Sequence, residues 1–153
     1  MRNHVITIIA AVIFFSSCAT GLSFCRDIVI GQLVDEYSGD TDIQKEAMVN
    51  KYLGSKIAVD GMVKDVKDEK TFDVVNDVER NYYKVITDVA STAAGNPYRT
   101  ILIYKDKARV SGLNVGQKIS LSGDIIRVVD EGLYLSVWIS ADPLTDHERE
   151  LFK

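Results

Sequence analysis

Cysteine is nearly missing from this chain. Two occur in 153 residues, Cys18 and Cys25, both near the start. The body of the chain has no disulfide framework and must be held by a packed core. A structural zinc site needs clustered Cys and His and is excluded on the same ground. Histidine is as scarce, with His4 near one end and His147 near the other. No Ser-His-Asp or Cys-His set can be assembled inside the domain, so the reading is that the protein is not an enzyme, and no cofactor is implied. With only Pro97 and Pro143 as prolines and ten glycines, no long flexible linker is expected. What remains, 46% hydrophobic and 26% charged, fits one globular domain. The formal net charge of -4 does not favour a phosphate-rich partner.

The N-terminus stands apart. Arg2 and His4 precede an apolar run from Val5 to Phe15, and small residues follow. This is the layout of a secretory signal over residues 1–25. The run is too short to span a bilayer as a finished helix. Three fates fit it. Phe15-Ser16-Ser17-Cys18 resembles a bacterial lipobox, which would make Cys18 a lipidated N-terminus, although Phe15 stands where leucine is usual. Ser17-Cys18-Ala19 fits a small-x-small peptidase site. Val5 to Cys25 carries no charge, which suits an uncleaved anchor. The lipobox reading is preferred. Each fate implies export, to a lipid-anchored or periplasmic place in the cell envelope.

Residues 26–40 read as a polar lead-in. A helix is expected over about 41–53, capped by Asp40 or Thr41, with Ile43, Ala47, Val49, Tyr52 and Leu53 as its apolar face. Gly54 follows as a stop. Strands come next, and one of them is written twice. "GSKIAVDGMVKDVKDE" (54–69) returns as "GQKISLSGDIIRVVDE" (116–131), with seven of sixteen positions identical. In both copies apolar residues alternate as far as Val63 or Ile125, and parity then breaks before Val66 or Val128. A shared parity break predicts a β-bulge at matching places. Gly61 and Gly123 sit mid-strand, which suits strong bending or close approach of another chain segment. Two such strands are what a small closed barrel needs. They are assigned as strands one and four of five. The others are 80–89, 98–105 and 132–140, with 72–75 as a possible start of the second strand. Asp68-Glu69 and Asp130-Glu131 read as matching turns, and 142–153 as a short helix or frayed tail. The expected class is mainly β: a five-stranded OB-type barrel with an N-terminal helix.

The pattern resembles a known family. Tyr52-Leu53-Gly54 before strand one and Leu113-x-x-Gly116-Gln117-Lys118-Ile119 before strand four are its telling features. The chain resembles the bacterial OB-fold domains described as anticodon-binding-like, found in small exported or lipid-anchored proteins. The resemblance covers residues 41–141 and implies a fold, not a chemistry. It departs from the pattern between strands three and four, where 106–113 has room for only a turn or two of helix.

Six carboxylates between 63 and 79 (Asp65, Asp68, Glu69, Asp73, Asp77, Glu79) lack calcium-loop spacing and read as a solvated edge, so no metal is expected. Between Pro97 and Arg127, six basic residues (Arg99, Lys105, Lys107, Arg109, Lys118, Arg127) face two acidic ones (Asp106, Asp124). Tyr82, Tyr98, Tyr104, Tyr134 and Trp138 offer stacking faces. On strand five, Leu133, Leu135, Val137 and Ile139 are expected in the core. Trp138 and Tyr134 then point outward, to be covered by the helix at 41–53 or to form a binding patch. The candidate binding residues are therefore Arg99, Lys105, Lys107, Arg109, Tyr134 and Trp138. The expected role is a non-catalytic binding or interaction module of the cell envelope, with an envelope protein or glycan as partner and the membrane held through the N-terminus. The alternative is single-stranded nucleic acid or another polyanion on the basic region.

Overall fold

A computed structural model describes residues 28–152. The expected signal segment 1–25, with Cys18 and Cys25, lies outside the described residues. The protein is mainly β, with helices at its N-terminal end. The elements are β1 (Ile28–Val29), α1 (Ile30–Gly39), α2 (Asp42–Tyr52), β2 (Lys56–Asp73), β3 (Val78–Thr87), β4 (Ala90–Ser91), β5 (Pro97–Tyr104), β6 (Lys118–Asp130), β7 (Leu135–Ser140) and α3 (Asp146–Glu150).

The helices begin earlier than the sequence reading placed them. Residues 26–40 are not merely a polar lead-in, because α1 buries Ile30, Leu33 and Val34, with Tyr37 packed beside them. Their spacing is that of one helical face. The Tyr52 hydroxyl donates to Glu36 at 2.7 Å and ties α1 to α2. Burial and then the Glu36 carboxylate push that phenol up to about 12. In α2, Gln44 Oε1 accepts from both the backbone N–H and the hydroxyl of Thr41. The expected apolar face is only partly right. Met48 and Tyr52 carry the burial, while Ile43 is 88% exposed.

The strands close a ring of ladders. β2 pairs with β6 through 56–62 and with β3 through 63–73. β3 pairs with β5, β5 runs parallel to β7, and β7 returns to β6. The echoed segments are thus partners. Ile57 lies opposite Gly123, Val59 opposite Leu121 and Gly61 opposite Ile119. Since each copy is the other displaced by 62 positions, the pairing has a local two-fold centred on Val59 and Leu121.

Register breaks fall between Val63 and Asp65 in β2 and between Ile125 and Arg127 in β6, the same point of each copy. Both breaks are tied by the other copy's leading glycine. Gly54 N–H donates to Ile125 O at 2.8 Å, and Gly116 N–H donates to Val63 O at 2.7 Å. Both glycines have positive φ, 78° and 83°, which disfavours a side chain there. Gly61 and Gly123 serve differently. A Cβ at Gly61 would lie 2.8 Å from Thr87 Cγ2, and one at Gly123 would run into the Ser140 carbonyl oxygen.

Inside the ring, Ile57, Val59, Val63, Val85, Leu102, Ile125, Leu135, Val137 and Ile139 are buried together with the α1 and α2 side chains. Leu133, expected among them, is 83% exposed, because it lies in the turn before β7. Asp68-Glu69 is not a turn. β2 runs on through it, since β3 pairs with every residue from 65 to 73. The β2–β3 turn is 74–77, and β3 begins at Val78.

Candidate functional site

A second apolar cluster lies on the outside of the ring. Tyr82 of β3, Ile101 and Ile103 of β5 and Ile126 of β6 are buried beneath Leu144 and Phe152, with Trp138 and Leu151 packed against them. The cover over Trp138 is therefore the C-terminal segment, not α2. The Phe152 ring meets Tyr82 edge-on at 4.9 Å and Trp138 at 6.5 Å. α2 is committed elsewhere, to the inner core through Met48 and Tyr52.

Around this cluster the sheet presents cations. Lys84 Nζ lies 4.7 Å above the Trp138 ring and the Arg127 guanidinium 5.6 Å from it. Lys84 also contacts Glu69 at 2.7 Å. Arg99 stacks on Tyr134 at 4.5 Å and donates to its hydroxyl at 2.9 Å. These are cation–π contacts, of the kind worth about 0.5–1 kcal/mol at exposed sites and more when desolvated.

The six candidates are thus divided. Arg99, Lys105, Tyr134 and Trp138 lie along the outer side of β5, β7 and their flanks. Lys107 and Arg109 lie beyond β5, in a single turn of 3-10 helix over Lys107–Arg109. Arg109 bonds Asp142 and stacks on Tyr104 at 5.0 Å, while Lys105 reaches Glu148 at 2.7 Å. Tyr104 itself is a core residue.

The carboxylates that meet these cations come from the C-terminal segment. α3 is capped by Thr145, whose hydroxyl accepts from the Glu148 N–H at 3.2 Å. Glu148 is only 7% exposed. Burial pushes its carboxyl up, but Lys105 and the Thr145 backbone outweigh that and leave it below the usual range. Arg149 reaches Asp124 at 3.3 Å.

Asp73, expected on a solvated edge, is fully buried. It accepts from the Asn76 side chain at 2.8 Å, from Arg80 Nε at 2.9 Å and lies 2.8 Å from His147 Nε2. The bonds from Asn76, His147 and Arg80 hold its carboxyl far below the ordinary carboxylate range. The other acids of that stretch do behave as surface groups, with Asp65 on Lys67 and Glu79 on Lys70.

Phe152, Asp142 and Glu148 were not among the sequence candidates. The alternation of 132–140 pointed to an outer face on β7, but nothing local says which segment lies on it. One polar group beneath the cover remains unmatched. Trp138 Nε1 is buried and donates to no partner among the described residues. The Tyr82 hydroxyl faces the Glu148 carboxylate, and burial together with that charge raises its pKa.

Among the described residues, no group of three or more His, Cys, Asp or Glu side chains is placed to hold a metal ion. Among those residues too, no helix is long and apolar enough to cross a membrane. Compared with known proteins, the chain matches no family model and no curated protein sequence.

Proposed function

We propose that the chain is a non-catalytic binding module of the cell envelope, built on an OB-type barrel and tethered through lipid on Cys18. The OB reading draws support from the ring order β2–β3–β5–β7–β6, with β5 parallel to β7 and the echoed strands shared between halves of the ring. The observation that carries the binding role is the position of Trp138. It stands outside the inner core, against Lys84 and Arg127 and beside the outer cluster that holds Tyr82 and Phe152. The partner is an envelope protein or glycan. Binding of single-stranded nucleic acid or another polyanion has less support, because Lys105 and Arg109 already sit on carboxylates.

Photo-cross-linking in intact cells tests the face. A photoreactive residue at position 127 or 134 is expected to give a discrete adduct that a control at position 64 does not give. Adducts at 64 alone, or at none of the three, would contradict the reading. The tether is tested by Cys18→Ser, which is expected to abolish lipid labelling and detergent-phase partitioning; unchanged partitioning would remove it.

A further inference from the structure

The C-terminal segment resembles a bound peptide more than an edge of the fold. It leaves β7 at Ser140 and crosses the outer side of the sheet. Its main contacts are acidic and apolar, Asp142 on Arg109, Leu144 in the outer cluster, Glu148 on Lys105, and Phe152 on Tyr82 and Trp138, with His147 on Asp73 and Arg149 on Asp124 as basic contacts between them. Glu148 also lies 3.9 Å from Arg80. The surface beneath it supplies the complementary pattern. Its apolar floor is Tyr82, Ile101, Ile103 and Ile126, and its rim carries Arg80, Lys84, Lys105 and Arg127.

We propose that this surface is a docking site for an acidic amphipathic peptide segment of a partner protein, and that residues 142–152 occupy it in cis when the partner is absent. The proposal rests on the binding-module reading above and names the partner's chemistry. Two features argue that the occupant is exchangeable. The fit is incomplete, with Trp138 Nε1 buried and without a hydrogen-bond partner among the described residues. A buried polar group left unpaired disfavours the closed arrangement, and a segment that supplies an acceptor to it would displace the present occupant. The charge match also comes from outside the ring. With the segment lifted, Lys105 and Arg109 lose the carboxylates that neutralise them. The basic rim would then attract acidic segments at long range and in a salt-dependent manner.

The test uses the full chain. A labelled peptide with the sequence of residues 142–152 is added to the wild type and to Glu148→Lys/Phe152→Ser, in which the segment is released. Fluorescence anisotropy follows the peptide, and Trp138 emission reports occupancy of the face. The released chain is expected to bind at least ten-fold more tightly than the wild type. Binding should weaken with salt and fall at least ten-fold for a peptide carrying Lys at the Glu148 position. Equal binding of a scrambled peptide, or none to a folded released chain, overturns the proposal. If the double variant does not fold, amide exchange on the wild type decides. Excess peptide should speed exchange across 146–151, and unchanged protection overturns the proposal. An oligonucleotide that displaces the segment where the peptide fails overturns the peptide assignment. Cross-links in cells at 127 or 134 with no peptide binding would leave the binding-module reading standing and remove this one alone.

Discussion

Gly61 and Gly123 occupy the same point of the two echoed strands, yet different neighbours press on them. Gly61 lies under the methyl group of Thr87, and Gly123 lies against the backbone carbonyl of Ser140. A side chain can turn or be trimmed, whereas a backbone carbonyl in a ladder moves only with its strand. Beyond their bulges the strands also diverge. β2 continues to Asp73, where Asn76, Arg80 and His147 converge on one buried carboxylate. β6 ends at Asp130, in a tight turn where Gly132 N–H bonds the Asp130 side chain. One bent strand thus serves twice as a closing part, while its two far ends are put to different uses.

The largest effect is expected where the obstacle is backbone. Gly123→Ala should cost about 3 kcal/mol or more, because β7 must shift to admit the methyl group. Urea unfolding measures it, and a loss below about 1 kcal/mol would deny the close approach. Gly61→Ala should cost about 1–2 kcal/mol. At that position Thr87→Ser is a rescue, since serine drops the obstructing Cγ2 and keeps the hydroxyl that meets Thr100 Oγ1 at 2.8 Å. The double variant should recover at least half of the loss. No recovery would mean that the two glycines are equally locked.

The divergent end of β2 is tested by pH. The Asp73 carboxyl is held below its ordinary value by Asn76, His147 and Arg80. A depressed folded value contributes stability above the unfolded value, about 4, and that contribution is lost as pH falls further toward the folded value. The difference in Tm between wild type and Asp73→Asn should therefore be largest near neutral pH and shrink below about pH 4. A constant difference would show that the carboxylate charge does not matter. The smallest effect serves as a control. Ile43→Ala touches neither copy of the strand, and at 88% exposure it should change stability by no more than about 0.5 kcal/mol.

Strand placement was legible because the first stretch of β2 has one side in the core and the other in water. Alternation at 57–63 maps onto burial residue by residue, whereas in β7 Ser136 is buried as deeply as the apolar residues beside it. The bulges were legible from parity, since a broken alternation cannot keep one face inward without an inserted residue. α1 was readable in principle from Ile30, Leu33, Val34 and Tyr37. Gly31 within that run and the Ser38-Gly39-Asp40 punctuation hid its period. The outer face was only half legible. The sequence points Trp138 and Tyr134 outward, but the partners that decide their role are distant in the chain. Glu148 meets Lys105 from 43 positions away, and Asp142 meets Arg109 from 33. A local count of charge between 97 and 127 could not include them, so it overstated the free positive charge. Asp73 was misplaced in part for the same reason: Asn76 and Arg80 are near it in the chain, but its His147 contact spans 74 positions.

The two echoed strands are direct partners about a local two-fold. Asp60 and Ser120 are opposed, exposed and point away from the core. Directly opposed Cβ atoms lie about 4.5–5.5 Å apart, within reach of a disulfide after small adjustment, whereas diagonal neighbours are about 7–8 Å apart. In a chain whose Cys18 and Cys25 are replaced by serine, Asp60→Cys/Ser120→Cys should close fully under mild oxidation, and Asp60→Cys/Ser122→Cys should stay reduced. Closure of the second pair in preference to the first, or of neither, would contradict the paired echo.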